Sequence, residues 1–216
     1  MNTENLVQRS PEWLAARCGS LGASEVHAAL ARTKNGWGAS REQIMSRLCW
    51  ERLTGKPVET FKSAAMLRGS ELEPEARAAY AFFRDTHVEE IGLVLHPRLK
   101  GTHASPDGII GTDGLVELKC FEGANHLATL LSGEFESKYI TQVDWQMACT
   151  GRKWCDLAAY HPDPPPEMRL AVVRIERDEK RIAKLDAEVA EFLEELNTRL
   201  TALRSKFSGW GVRDAA

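Results

Sequence analysis

Hydrophobic and polar residues follow two different periods along this chain, and these periods divide it into predicted helices and strands. Apolar residues spaced as on one face of a helix recur within residues 11–18, 24–30, 40–54, 62–83, 137–150 and 179–205. Patterns typical of strands cover residues 88–95, 100–104, 105–120, 154–160 and 169–176. This order of elements predicts an α/β fold with a central mixed β-sheet that is flanked by helices on both faces.

Residues that favour helix starts mark several of these boundaries. Ser10 followed by Pro11 is typical of a first turn, because the serine caps it and proline lacks an N–H that would otherwise stay unpaired. Ser24 is predicted to cap the second helix, and Ser40 with Gln43 has capping-box spacing at the start of the third. The sequence therefore predicts that a serine opens each of these helices.

Other residues predict interruptions. Pro74 lies inside the longest helical pattern and predicts a kink or a new helix start, because proline cannot donate the helical hydrogen bond. Residues 34–39 and 122–136 are predicted to be loops, and residues 207–216 a loosely held tail. With no repeat or linker, the chain is predicted to be one domain over residues 1–216, with an ordered core over about residues 8–206.

Composition narrows the class of protein. The chain has 216 residues, of which 43% are hydrophobic and 27% charged, as in an ordinary soluble domain. It has no apolar run long enough to span a membrane and no signal-peptide pattern at its start. Five cysteines without CxxC spacing favour reduced thiols in the cytoplasm, and the six histidines show no metal-ligand spacing. Because the net charge is −3, any DNA contact must come from local basic groups.

The most informative segment is residues 105–120, whose glycine-rich centre between apolar pairs predicts a β-hairpin. The period of two in a strand puts Glu117 and Lys119 on one face and Leu118 on the other. The turn brings Asp107 back towards them. Carboxylate oxygens suit Mg²⁺, and a metal flanked by a lysine can activate water. The hairpin therefore predicts metal-assisted hydrolysis of a phosphodiester.

These residues resemble the signature of the PD-(D/E)xK nuclease superfamily. More narrowly, the chain is similar to phage-type alkaline exonucleases of the lambda exonuclease or YqaJ-like family. Segments that carry this similarity follow in family order at residues 13–17, 22–27, 68–77, 105–120, 139–143 and 173–180. The resemblance implies a restriction-endonuclease-like core and a homotrimeric ring that threads linear double-stranded DNA. It also implies 5′→3′ degradation of one strand to mononucleotides, leaving a 3′ single strand for a single-strand annealing protein in recombination.

The resemblance assigns roles to the hairpin residues. Asp107 and Glu117 would bind two Mg²⁺ ions, with Mn²⁺ as a substitute, and the main-chain carbonyl of Leu118 would add a ligand. Lys119 would orient or deprotonate the attacking water and offset charge on the phosphoryl oxygens. Taken alone, Asp107 would be only a turn acid and Glu117 a solvated strand residue.

Two helix residues resemble further members of the catalytic set. Glu73 matches the helix acid that reaches the metals directly or through water, although it also belongs to an acidic run with Glu71 and Glu75 that would ordinarily be solvated. Gln142 matches the glutamine that hydrogen-bonds near the catalytic lysine or water. Its alternative is an ordinary position on a helix surface.

Arg17, Ser24 and Ser105 resemble the pocket that holds the 5′-phosphate of the substrate. A helix start capped by Ser24 would suit an anion, and the fork of Arg17 can bind a phosphate with two hydrogen bonds. Without the resemblance, the same residues would be a plain N-cap and a surface arginine. A phosphate held at a fixed distance from the metals would explain why digestion runs in one direction.

Four residues remain as candidates for DNA contact. Met66 aligns with the apolar wedge that parts the terminal base pairs, with core packing as its alternative. Trp13 matches a family position near the DNA end. Arg32 and Lys34 lie in a predicted loop that could contact the unpaired 5′ strand.

Other functions stay open on the sequence. An endonuclease or nickase in DNA repair would share the catalytic residues but would have no use for an end-binding pocket. A catalytically silent DNA-binding scaffold is disfavoured because the acidic residues and Lys119 are all intact. A Ca²⁺-binding structural module is disfavoured because the chain lacks an EF-hand loop and has a lysine beside the ligands.

Overall fold

The computed structural model describes residues 3–34, 36–59 and 63–208. The helices are α1 (Pro11–Arg17), α2 (Ala23–Ala29), α3 (Ala39–Thr54), α4 (Ala64–Arg84), α5 (Gly123–Ser132), α6 (Ser137–Thr150) and α7 (Glu179–Phe207). The strands are β1 (Leu21–Gly22), β2 (Arg32–Thr33), β3 (Gly36–Trp37), β4 (Val94–Leu95), β5 (Thr102–Ala104), β6 (Gly108–Ile110), β7 (Gly114–Lys119), β8 (Trp154–Tyr160) and β9 (Leu170–Glu176).

The central sheet has four strands in the order β6-β7-β8-β9. Its outer pairs, β6 with β7 and β8 with β9, are antiparallel, whereas β7 and β8 are parallel. A smaller sheet in the order β1-β5-β4 lies outside it, and β2 pairs with β3 as a separate hairpin. The central sheet is therefore mixed, as the sequence predicts.

Alternation along β7 explains why helices cover both faces of this sheet. Leu115 is buried in the larger core together with Val143 of α6. Val116 and Leu118 point to the opposite face and are buried with Tyr80 of α4. Because successive side chains of a strand point to opposite faces, one strand packs against α6 and α4 at once. The predicted mixed sheet flanked by helices on both faces is confirmed.

A buried ionic network ties α4 to the central sheet. Asp156 of β8 is fully buried and accepts hydrogen bonds from Tyr80 of α4 at 2.8 Å and from Arg174 of β9 at 2.7 Å. Arg84 at the end of α4 approaches the same carboxylate to 3.2 Å. Burial and the hydrogen bond to Asp156 raise the pKa of Tyr80, so its hydroxyl stays a donor.

The predicted cap of α1 is confirmed, and other helix ends carry residues that are typical of caps. Ser10 accepts a hydrogen bond from the backbone N–H of Trp13, and Asp178 accepts from the first turn of α7. Gly55 and Gly151 end α3 and α6 with positive φ angles of 67° and 72°, which glycine adopts without a steric penalty.

The predicted caps of α2 and α3 are wrong. Gly22 is the N-cap of α2, so Ser24 lies within its first turn. The preceding residues pair with β5 in the smaller sheet, and this pairing fixes where the helix can begin. Gly38 is the N-cap of α3, and the hydroxyl of Ser40 instead donates to the carbonyl of Ala28 at 2.9 Å. That contact joins α3 to α2.

Three other predictions need correction, and one of the two alternatives for Pro74 is excluded. The predicted loop at 122–136 contains α5, and the predicted loop at 34–39 contributes β3 to a short hairpin. Within the predicted strand at 88–95, only β4 forms a strand. Glu89 makes an isolated bridge to Ile109. Pro74 lies inside one continuous helix, so it does not mark a restart. The predicted start of that helix at residue 62 and the tail beyond residue 208 lie outside the described residues.

Candidate active site

Glu117 and Lys119 form a close ion pair at the end of β7. The Nζ atom of Lys119 lies 2.7 Å from Oε1 of Glu117, and Glu117 is only 3% exposed. Both side chains point from the face of β7 that packs against α6, as the period of two predicts. A buried carboxylate of this kind is stable only when its oxygens receive hydrogen bonds.

Two glutamines of α6 supply those hydrogen bonds. Gln142 donates to Oε1 of Glu117 at 2.5 Å and accepts from Lys119 at 3.1 Å. Gln146 donates to Oε2 of Glu117 at 2.6 Å. Residues four apart share one helix face, so α6 presents both amides to the hairpin. The sequence suggests Gln142 by resemblance but misses Gln146, whose i+4 spacing from Gln142 is the signal for it.

Asp107 lies on the strand opposite this pair. Gly108 pairs with Val116 in the antiparallel ladder, so the next position brings residue 107 opposite residue 117. The Oδ2 atom of Asp107 accepts a hydrogen bond from the backbone N–H of Leu118 at 2.7 Å. Burial raises the pKa of Asp107 well above its usual value, and the negative charges of Glu117 and Glu73 raise it further. The hairpin therefore brings Asp107, Glu117 and the Lys119 ammonium together.

Lys119 keeps its charge in this setting. Burial lowers the pKa of Lys119, but the negative charges of Glu117 and Asp107 raise it more, so the net pKa lies above its usual value. The ammonium also lies 4.9 Å from the ring centre of Tyr139, where a cation is favoured. The arrangement supplies a fixed positive charge beside two carboxylates.

Glu73 is held at the edge of this cluster by two arginines. Arg77, one turn further along α4, lies 2.8 Å from Glu73, and Arg9 forms a second ion pair with it. Arg77 also donates to the main-chain carbonyl of Asp107 at 3.0 Å. The sequence missed both arginines, although the i+4 spacing of Glu73 and Arg77 on a helix is a recognisable signal.

Only some of the carboxylates at this site are suited to binding a divalent cation. Within the described ranges of the chain, no group of three or more His, Cys, Asp and Glu side chains is arranged to hold a metal ion. Glu73 is occupied by its arginines, whereas Asp107 and Glu117 are buried carboxylates whose mutual repulsion raises the pKa of Asp107. A divalent cation relieves such repulsion, and carboxylate oxygens are the ligands that Mg²⁺ prefers. These two residues therefore fit the predicted ion.

The predicted phosphate-binding residues line one small cavity. Its volume is about 40 Å³, and its walls are Arg17, Gly22, Ala23, Ser24, His103, Ser105, Gln142 and Gln146. The structure thus brings Arg17, Ser24 and Ser105 together. Gln142 and Gln146, which hydrogen-bond Glu117, also line this cavity. The cavity therefore lies next to the group formed by Asp107, Glu117 and Lys119, which we call the acidic cluster. We call this cavity the arginine pocket.

Trp13 contacts two residues of the arginine pocket, Arg17 and Ser105. The guanidinium of Arg17 lies 4.1 Å from the ring centre of Trp13, and the indole N–H donates to Oγ of Ser105 at 3.2 Å. Trp13 is 7% exposed, so it has little surface left for the predicted contact with DNA. No described residue accepts a hydrogen bond from the Arg17 guanidinium, which leaves its donors free for an anion.

The other predicted DNA contacts lie on the surface. Met66 is 58% exposed in the first turn of α4, so the core-packing alternative is wrong. Arg32 is exposed and stacks at 3.8 Å on the ring of Trp37, and Lys34 is exposed beside the same hairpin. None of these three residues lines the arginine pocket.

Known proteins share both the sequence and the fold. Residues 12–153 match the YqaJ-like viral recombinase domain. LHK-Exo, an alkaline exonuclease from Laribacter hongkongensis, is 42% identical, and the similarity covers 93% of this chain and 100% of LHK-Exo. The TM-scores are 0.87 for its complex with dAMP and 0.86 for a second crystal structure.

More distant similarity concerns the fold alone. A phage-related exonuclease from Haemophilus somnus 129PT is 13% identical, with a TM-score of 0.65 over 85% of this chain and 96% of that protein. Curated protein sequences give no significant match. The family match covers more than half of the chain and LHK-Exo covers nearly all of it. The chain therefore belongs to the YqaJ-like viral recombinase family of exonucleases.

Proposed function

We propose that the protein is a metal-dependent exonuclease that digests one strand of linear double-stranded DNA in the 5′→3′ direction. It starts at a 5′-phosphorylated end, releases mononucleotides and leaves a 3′ single strand. LHK-Exo has been crystallised with dAMP, a nucleotide of the kind that such digestion releases. The proposal specifies a substrate, a direction and a cofactor for the exonuclease family to which the chain belongs.

One observation carries the proposal: the same two glutamine side chains contact both the arginine pocket and the acidic cluster. Gln142 and Gln146 line the pocket, and the same two side chains hydrogen-bond Glu117. A 5′-phosphate held by Arg17 would therefore keep the next phosphodiester close to Glu117 and Lys119. Each cut creates a new 5′-phosphate, so the same pocket would position every following bond and set the direction.

Asp107 and Glu117, with the main-chain carbonyl of Leu118, would hold Mg²⁺, two ions in the active state, with Mn²⁺ as a substitute. When bound, the ions supply an activated water and neutralise charge on the phosphate. Glu73 would contribute through a water, because its own oxygens are paired with Arg9 and Arg77.

The side chains of the protein do the remaining work. Gln142 and Gln146 hold the carboxylate of Glu117 in one orientation. The charged Lys119 stabilises negative charge that develops on the phosphoryl oxygens, a type of contribution that typically changes rates by two to three orders of magnitude. Met66, Arg32 and Lys34 remain candidates for contact with the DNA end because they are exposed.

The same proposal extends to assembly and location. A homotrimeric ring would enclose the duplex, and a single-strand annealing protein would receive the 3′ strand for recombination. The five cysteines are free, which suits a reducing cytosol of a bacterium or a phage-infected host. Within the described part of the chain, no helix is both long and apolar enough to cross a membrane.

A single digestion experiment tests the proposal. The protein is incubated with Mg²⁺ and a linear duplex that carries a 5′-phosphate on one strand only, with a circular duplex as control. We expect mononucleotides from the phosphorylated strand and no product without Mg²⁺. Nicking of the circle would favour the endonuclease alternative. Binding of DNA without any cleavage would favour the silent scaffold.

A further inference from the structure

His103 is a buried side chain of the arginine pocket to which the proposed function gives no role. It lies on β5 and is 1% exposed. Its Nε2 atom is buried and has no hydrogen-bond partner among the described residues. Its other nitrogen, Nδ1, lies 2.8 Å from Oγ of Ser20. A buried polar atom without a partner is costly, so its occurrence beside a ligand cavity points to the ligand as the missing partner.

The unpaired Nε2 atom of His103 and the guanidinium of Arg17 approach the same space beside Gly22. Gly22 and His103 are partners in the parallel ladder between β1 and β5. A Cβ atom built on Gly22 would lie 3.2 Å from Nη2 of Arg17 and 3.3 Å from Nε2 of His103. The missing side chain of Gly22 therefore leaves a space onto which the guanidinium and the imidazole converge.

Ser20 can decide which nitrogen of His103 carries the proton. A neutral imidazole has one donor and one acceptor nitrogen, and the partner of one fixes the role of the other. When the Ser20 hydroxyl donates to Nδ1, the proton of the ring stays on Nε2 and points into the pocket. An anion in the pocket stabilises that tautomer, because only Nε2–H can donate to it.

We propose that His103 donates a hydrogen bond from Nε2 to the terminal 5′-phosphate, that Ser20 fixes the tautomer for this contact, and that the pair determines specificity for phosphorylated ends. This inference rests on the proposed function. It adds a neutral donor beside the single cation Arg17 and the two serine hydroxyls. The ligand is a terminal phosphomonoester, whose several oxygens can accept from all of these groups.

The charge state of the ring agrees with this role. Burial, together with the nearby charges of Arg17 and Arg47, lowers the pKa of His103 to about 3. The imidazole is therefore neutral when the pocket is empty. A neutral donor contributes a directed hydrogen bond without adding a second buried positive charge next to Arg17, which would be costly to desolvate.

Four variants of the full chain test the inference. In His103→Leu the donor is lost, whereas His103→Gln retains an amide N–H that can reach the pocket. Ser20→Ala removes the group that fixes the tautomer, and Gly22→Ala fills the space between the two donors. Gly22 has a φ of −83°, so alanine is tolerated by the backbone. His87→Leu, at an exposed histidine, serves as the matched control.

The readout is kcat/KM for removal of the first nucleotide from duplexes that differ only in a 5′-phosphate or a 5′-hydroxyl, together with binding of dAMP and deoxyadenosine. We expect His103→Leu, Ser20→Ala and Gly22→Ala to lose about tenfold to a hundredfold on phosphorylated ends and to weaken dAMP binding, as for one lost hydrogen bond to a charged group. Removal of the first nucleotide from 5′-hydroxyl ends should change little, because only the later cuts start from a 5′-phosphate. His103→Gln should recover most of the loss, and His87→Leu should resemble the wild type.

Two outcomes separate this inference from the proposed function. If the wild type prefers phosphorylated ends but the variants lose equally on both kinds of end, His103 is only structural and the inference is wrong. If the wild type itself digests both ends equally well, the 5′-phosphate pocket is wrong and the inference falls with it. Should His103→Leu fail to fold, Ser20→Ala and Gly22→Ala carry the same test, and ¹⁵N NMR of the ring nitrogens reports the tautomer directly.

Discussion

The charge on Lys119 is the residue-scale property on which the proposed chemistry depends. Burial alone would favour a neutral amine, but Glu117 and Asp107 lie close enough to reverse that effect and hold the pKa of Lys119 above its usual value. At neutral pH the side chain is therefore an ammonium. Of the three roles suggested by resemblance, stabilising phosphoryl charge and orienting water agree with this state, whereas removing a proton from water does not.

Replacing Lys119 by alanine should abolish cleavage while leaving DNA binding in place. We expect kcat to fall by about a hundredfold or more, because a preorganised positive charge is lost at the reacting phosphate. Lys138→Ala is the matched control, since Lys138 lies 4.8 Å from the ring of the same Tyr139 but is 45% exposed. Single-turnover kinetics and a gel-shift assay would measure both effects. Wild-type turnover in Lys119→Ala would remove the proposed role.

Gln146 gives a second residue-scale prediction. Its amide is the donor to Oε2 of Glu117 at 2.6 Å, so Gln146→Leu leaves that buried oxygen without its partner. We expect the free energy of unfolding to fall by about 1–3 kcal/mol and cleavage to slow, because Glu117 loses its fixed orientation. Gln142→Leu should slow cleavage more, since Gln142 also contacts Lys119. Denaturant unfolding and initial rates would test this order, and the reverse order would contradict it.

The residues that the sequence predicts best are those that a local motif brings together. Asp107, Glu117 and Lys119 lie on one hairpin, so turn residues and strand alternation suffice to place them. Gln146 acts on Glu117 from 29 positions further along the chain, and Ser20 contacts His103 across 83 positions. The i+4 spacing from Gln142 indicates only which face of the helix Gln146 shares. The contacts themselves are created by the packing of α6 and of the smaller sheet.

At the scale of elements, the network around Asp156 joins α4 to the central sheet. The carboxylate joins Tyr80 of α4 to Arg174 of β9, and Arg84 adds a third contact from the end of the helix. Helix α4 also carries Glu73 and Arg77, which lie beside Asp107. The network therefore positions catalytic-site residues from the other face of the sheet.

Asp156→Ala should destabilise the protein. The buried Tyr80 hydroxyl loses its acceptor, which typically costs about 1–3 kcal/mol, whereas Arg174 and Arg84 are partly exposed and can be solvated. Asp113→Ala is the matched control, because Asp113 pairs with Lys153 on the surface and such pairs contribute at most about 1 kcal/mol. Urea unfolding of the two variants would compare them. Similar midpoints would mean that the buried network contributes little.

Some helices differ from those that the sequence pattern predicts, because tertiary contacts determine where these helices form. Leu127 and Leu131 of α5 are exposed, Leu131 to 88%, while His126 and Thr129 form its buried face, so its apolar pattern does not indicate a helix packed on a core. A hydrogen bond of 2.7 Å from His126 to the carbonyl of Met168 fixes it in place. Similarly, pairing of Gly22 with His103 moves the start of α2 to a position that Ser24 does not cap.

At the scale of the whole molecule, the negative net charge of the protein disfavours binding of a negatively charged substrate. The chain carries a net charge of −3, yet its proposed substrate is a polyanion. Binding of DNA ordinarily depends on many basic side chains that replace counterions. Here the cations near the site are few, and several of them, such as Arg9 and Arg77, are paired with Glu73. Retention of the DNA must then come from something other than electrostatic affinity.

The proposed closed ring would supply that retention, because enclosed DNA could not leave sideways between cuts. We expect sedimentation at micromolar concentration to give three times the mass of one chain. Digestion begun before a DNA trap is added should then continue for many nucleotides, and its length should depend weakly on salt, whereas the initial loading rate should fall steeply as salt rises. A monomer in the centrifuge, or a digestion length that falls with salt as steeply as loading does, would show that charge and not enclosure holds the DNA.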